Sequence, residues 1–178
     1  MKKYLTFLAI APLCFSISCN TRPEGGLSPA AQKNLDAMHG VTKTFETKDF
    51  SKLGDFIADD AVDHAGDSGD IKGLANMKTQ FAKWTDAIDG QKSEILKELA
   101  DDDYAMSWMH YTGSYKTDVP GHKAGEKFDM KGIEVAKFKD GKATEHWTMM
   151  EPGDVMKMMA GMPQPQMAAP ADTTKKKK

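Results

Sequence analysis

Three features of the sequence predict an α+β domain in which helices cover one face of a curved antiparallel sheet. Apolar residues recur at steps of three and four as far as about residue 90, and from Ser93 onward they alternate instead. The pair Asp140-Gly141 separates two alternating runs and is a two-residue hairpin signal. Helices that precede a run of strands segregate to one face of the sheet. The 178 residues, 40% of them hydrophobic, suffice for a single core without covalent staples.

The chain opens with Met1-Lys2-Lys3, a mostly apolar run from Tyr4 to about Ile17, and then Ser18-Cys19, the layout of an export signal over residues 1–19. That run is too short to span a bilayer. The only cysteines are Cys14, inside the run, and Cys19, at its end, so a chain beginning at Cys19 has no internal disulfide. Phe15-Ser16-Ile17-Ser18-Cys19 resembles a bacterial lipoprotein box, which makes Cys19 the expected lipidation site and the cell envelope the expected location; simple cleavage near Ser18 is the alternative. Residues 20–27 read as a polar tether, 28–161 as the folded domain, and 162–178 as a Pro/Ala/Lys tail that cannot bury enough apolar surface to order itself.

Within the domain, Ser28-Pro29 starts a first helix, since serine can accept from a free amide of the first turn and proline at the next position loses no bond. Ala31, Leu35, Met38 and Phe45 continue it, with Gly40 a weak point of roughly 1 kcal/mol. Asp49 can cap a shorter second helix through Phe50, Leu53, Phe56 and Ile57, followed by a brief strand at 61–64. Leu74, Met77, Phe81, Trp84 and Ile88 define a third helix, ended by Gly90. Strands are expected near 93–100, 104–116, 127–139 and 143–150, and a short helix at 151–160.

Net charge is −2, and six lysines lie in the two ends, so the domain is more acidic than the whole. An acidic domain argues against nucleic acid as a partner. The loop from Asp63 to Asp70 lacks calcium-loop spacing, and Met156, Met158, Met159 and Met162 read as a helix sealing the sheet; neither metal nor cofactor is expected.

Several segments resemble the nuclear-transport-factor-two-like superfamily, and within it the SnoaL-like group, over roughly Ala30 to Met159. They are Lys48-Asp49-Phe50, Asp63-His64 with Ile71-Lys72-Gly73, and Lys131-Gly132-Ile133-Glu134 running through Phe138-Lys139-Asp140-Gly141-Lys142 to Glu145-His146-Trp147. The resemblance implies a cone-shaped curved sheet with three N-terminal helices packed on it. It also implies a pocket for a small apolar organic molecule, and relatives that are cyclases, isomerases, hydrolases or non-catalytic dimers. By its likeness to ketosteroid isomerases, Glu134 falls at the strand position of their oxyanion-binding acid and His64 at or beside their base. Their helix-borne tyrosine would fall near Val41, so steroid isomerisation itself is not carried over.

A hairpin closed at Asp140-Gly141 pairs Lys139 with Lys142, and continuing that register puts Glu134 opposite Trp147. Glu134 would then share a face with Met130, Trp147 and Met149, its pKa raised by an apolar surrounding. His146 would point outward. Trp84, Trp108 and His110 complete the expected pocket, each having a core role as its alternative. Two functions follow: a pocket for a small molecule, either merely binding it or acting on it by acid–base chemistry from His64 and Glu134, or a non-catalytic interaction domain that forms a homodimer through the sheet's outer face.

Overall fold

The computed structural model describes residues 26–66 and 69–160, with side chains as far as Met156. The expected signal, Cys19, most of the tether and the lysine-ended tail lie outside these residues. So do the methionine side chains at 158, 159 and 162.

Helix α1, Pro29–Thr47, begins where Ser28-Pro29 predicts: Ser28 Oγ accepts from the Ala31 amide at 3.0 Å. It ends at Lys48, whose φ of 55° turns the chain away and whose Nζ donates to the Thr85 and Ile88 carbonyls, both at 2.7 Å. Gly40 is a site of close packing, since a Cβ there would meet the Phe56 ring at 2.4 Å.

The expected second helix is a single 3-10 turn, Leu53–Asp55. Asp49 caps a tighter turn by accepting from the Ser51 amide at 3.0 Å. Strand β1 takes Ile57–Asp63, longer than expected, and β2 is the short Ile71–Lys72. Helix α2 runs Leu74–Asp86 and stops before Gly90, which lies inside β3, Ile88–Ala100, with φ of 61°. The remaining elements are β4, Tyr104–Tyr115; β5, Lys127–Lys139; β6, Lys142–Met150; and α3, Pro152–Ala160. Three α-helices are thus present among the described residues, but the third is C-terminal.

The six strands form one curved sheet in the order β2-β1-β6-β5-β4-β3. Strand β1 runs parallel to β6 and every other pairing is antiparallel, so the sheet is mixed. Alternation within a strand does not encode its direction against a partner some eighty residues away, which is why the sequence suggested an antiparallel sheet. Leu35 and Ala37 of α1, Leu53, and Met77 of α2 pack on Ala105, Ala136 and Phe138 of the sheet. Full burial of Leu53 alone contributes roughly 2 kcal/mol.

The β5–β6 hairpin decides which residues face the helices. Asp140 and Gly141, at φ 55° and 79°, form its two-residue turn, and Lys139 pairs with Lys142 as expected. Then β6 carries one extra residue. Phe138 pairs with Ala143 but Lys137 pairs with Glu145, leaving Thr144 as the bulge, its Oγ1 donating to the Lys137 carbonyl at 3.3 Å. From there Glu134 pairs with Thr148, not Trp147. One inserted residue turns each later side chain of β6 to the opposite face.

Candidate active site

By register, the helix-covered face carries Ser107, Met109 and Tyr111 of β4; Met130, Gly132 and Glu134 of β5; and His146, Thr148 and Met150 of β6. Asp63, the last residue of β1, pairs with His146 and joins the same face. These residues form a continuous polar line. Asp63 Oδ1 lies 3.0 Å from His146 Nδ1, and His146 Nε2 lies 2.8 Å from Glu134 Oε2. Thr148 Oγ1 donates to the same Oε2 at 2.7 Å, and Tyr111 Oη donates to Glu134 Oε1 at 2.7 Å. Asp63 Oδ1 also accepts from the Ala65 amide at 2.9 Å, which fixes its carboxylate.

Both ring nitrogens of His146 therefore face carboxylate oxygens, and only the imidazolium can donate from both. Burial disfavours that charge, but the hydrogen bonds and charges of Asp63 and Glu134 outweigh it and hold the His146 pKa up at about 10. Burial also pushes Glu134 and Asp63 upward. In each case His146 prevails, joined at Glu134 by Thr148 and Tyr111, so both carboxyls lie below their ordinary values. Burial and then the Glu134 charge push the Tyr111 phenol well above its ordinary value, keeping it a donor. Asp63 is nearly enclosed, its side chain 6% exposed, whereas Glu134 and His146 keep 16% and 31% and can be reached from outside.

This geometry corrects several expectations. Glu134 has a lowered pKa because three donors converge on it. His64 does not meet Glu134: it sits on the outer face, stacked on Trp147 at 5.0 Å, with Nδ1 3.0 Å from Asp70 and Nε2 3.5 Å from Glu145. The hydrogen bond it donates to Asp70, opposed by desolvation and reinforced by Glu145, raises its pKa. His146, expected to point outward, holds the place opposite Glu134.

The expected pocket residues divide between the faces. Met130 lies beside Tyr111 on the helix side. Trp108, His110, Trp147 and Met149 lie on the outer face, where His110 Nε2 is 2.8 Å from Asp129. Trp84 stands at the edge of α2, 57% exposed, with its indole edge-on to Phe45. Sequence reasoning missed Asp63, Tyr111 and His146 as a group. Tyr111 was accessible to it, being one residue out of phase with Trp108 and His110, but nothing in the residue pattern announces the bulge that turns His146 inward. Among the described residues no His, Cys, Asp and Glu cluster is arranged to hold a metal ion, and no helix is long and apolar enough to cross a membrane.

Residues 36–160 match the family model of SnoaL-like polyketide cyclases, so the chain belongs to that family. The fold agrees. TsrD from Streptomyces laurentii superposes with a TM-score of 0.64 at 16% identity, over 77% of this chain and all of that one. A SnoaL-like polyketide cyclase from Agrobacterium tumefaciens gives 0.60 at 13% identity, over 71% and 97%. An LEH-like epoxide hydrolase from M. tuberculosis gives 0.59 at 16% identity, over 75% and 92%. At these identities the neighbours establish the fold alone. No curated protein matches the chain.

Proposed function

We propose that this is a lipid-anchored envelope protein whose helix-covered face binds a small organic molecule and acts on it by cofactor-independent acid–base chemistry. The observation that carries the reading is the line Asp63–His146–Glu134, flanked by Tyr111 and partly open to solvent. Glu134, ionised at neutral pH, is the base. A proton it receives from the bound molecule is held next to the His146 imidazolium and can be returned to the product or passed to water. Asp63 keeps His146 charged and oriented, and the imidazolium in turn fixes the carboxylate. Ring closure and epoxide opening, the reactions named by the family and by one structural neighbour, both act on small organic molecules and both move protons.

Screening small organic compounds against the ¹⁵N-labelled protein tests the reading. Binders should shift the amides of Tyr111, Met130 and Thr148 and lose affinity at least tenfold in Glu134→Gln. Shifts confined to Trp108 and Met149 would refute it. Anchoring rests on the sequence around Cys19; labelled palmitate should enter the wild type and not Cys19→Ser.

A second reading, a non-catalytic homodimer, is favoured by the sheet's outer face. Leu99, Tyr104, Met106, Trp108 and Met149 are all exposed there. Lysines and carboxylates surround them, a mixture of signs that a second copy could complement.

A further inference from the structure

Counting donors and acceptors around Glu134 identifies the chemistry of the molecule the site can hold. A carboxylate only accepts, and its two oxygens offer about four lone-pair directions. Oε2 receives His146 Nε2 and Thr148 Oγ1, and Oε1 receives Tyr111 Oη, which leaves one direction on Oε1. The donors next to Glu134 are spent: the hydroxyl hydrogens of Tyr111 and Thr148 and both N–H groups of His146 all point at carboxylate oxygens. What the surroundings of Glu134 offer a ligand is acceptor capacity, on Glu134 Oε1 and on the two hydroxyl oxygens.

The distribution of cations agrees. The lysines of β5 and β6, at 127, 131, 137, 139 and 142, alternate onto the outer face, opposite to Glu134 and His146. His146 is the one cation that the paired strands place on the helix side among the described residues, and two carboxylates already hold it. Met130 and Met150 flank Gly132 on the same face, and Gly132 adds no side chain, so the neighbours of the carboxylate along β5 and β6 include two thioethers.

We infer that the ligand is a largely apolar molecule presenting a hydrogen-bond donor, a hydroxyl or a protonated amine, to Glu134 Oε1, and that molecules presenting a carboxylate are excluded. This rests on the proposed use of the helix-covered face and adds the polarity of the group recognised there. An anion would set its charge against Glu134 and Asp63 where, among the described residues, the donors and the one cation beside Glu134 are already engaged by carboxylates, and a desolvated like-charge contact is strongly unfavourable. A donor completes the coordination of Oε1 with a charge-assisted bond.

The test uses the full chain with its methionine methyl groups ¹³C-labelled and assigned, titrated at pH 7 with three probes of one skeleton: 2-naphthol, 2-naphthylmethylamine and 2-naphthoate. Met130 reports the helix-covered face, and Met106 and Met149 the outer one. The expected result is that the hydroxyl and ammonium probes shift Met130 at concentrations at least tenfold lower than the carboxylate does. The gap should close in Glu134→Gln and persist in Tyr111→Phe, which keeps the carboxylate. If naphthoate shifts Met130 as readily as naphthol, the donor inference is overturned while the site reading stands. If no probe shifts Met130, or only Met106 and Met149 respond, both are overturned.

Discussion

His146 is the residue on which the site's electrostatics turn. It links two carboxylates that would otherwise repel each other, and one of them, Asp63, is almost enclosed. Replacing it with alanine leaves both without their cation. Breaking a buried pair in this way costs about 3 kcal/mol, a loss that urea unfolding at pH 7 should show, along with the loss of ligand binding. The pH dependence has a definite sign. His146 has a raised folded pKa, so its contribution is complete below its ordinary value of 6.5, declines above it and is gone past about 10. Asp63 and Glu134 have lowered folded values, so theirs is complete above their ordinary 3.8 and 4.5 and is lost as pH falls through the depressed values. Stability should therefore be greatest between about pH 4.5 and 6.5 and fall steadily toward pH 10. In His146→Asn the alkaline decline should flatten; an unchanged slope would assign it to other groups.

Among the elements, the β5–β6 hairpin shows what a sequence discloses and what it hides. The Asp140-Gly141 turn was legible because two left-handed residues in succession restrict the choice to residues that tolerate them, and the pairing next to the turn followed from it. The bulge at Thr144 was not, because an ordinary residue enters it, with only a weak hydroxyl bond to mark the place. That single residue reversed the facing of His146 and Trp147, and with it the composition of the site. Likewise, the start of α1 and its cap were readable from Ser28-Pro29 and its extent from the apolar spacing up to Phe45, while the reason for Gly40 lay in Phe56, sixteen residues on and brought back by the turn at Leu53. Gly40→Ala tests this. Helix propensity alone favours alanine by roughly 1 kcal/mol, but crowding of the Phe56 ring costs about 1–3 kcal/mol. The variant should be destabilised overall, with a lower urea midpoint and an unchanged denaturant slope; a higher midpoint would mean that the ring moves aside freely.

At the scale of the whole molecule, the sheet separates two chemistries. Its helix side has the Asp63–His146–Glu134 line beside methionines and an aromatic ring, and its outer side has the lysines, the exposed apolar residues, and the His64–Trp147 stack. Both faces share the same strands, and the His64 amide donates to the His146 carbonyl at 2.8 Å, tying the end of β1 to β6. A homodimer and a ligand site are compatible, since they use opposite surfaces. If the outer face joins two copies, Trp108→Glu should convert the species seen by sedimentation from dimer to monomer without altering ligand binding. A monomeric wild type would remove the dimer reading and leave the site reading intact.

The most direct test of the central claim, that the helix-covered face is the functional one, is native mass spectrometry of the chain purified from the cells that produce it. The wild type should carry a reproducible small-molecule mass that Glu134→Gln loses and His64→Ala keeps. A mass kept by Glu134→Gln but lost on Trp147→Ala would place the ligand on the outer face and contradict the account.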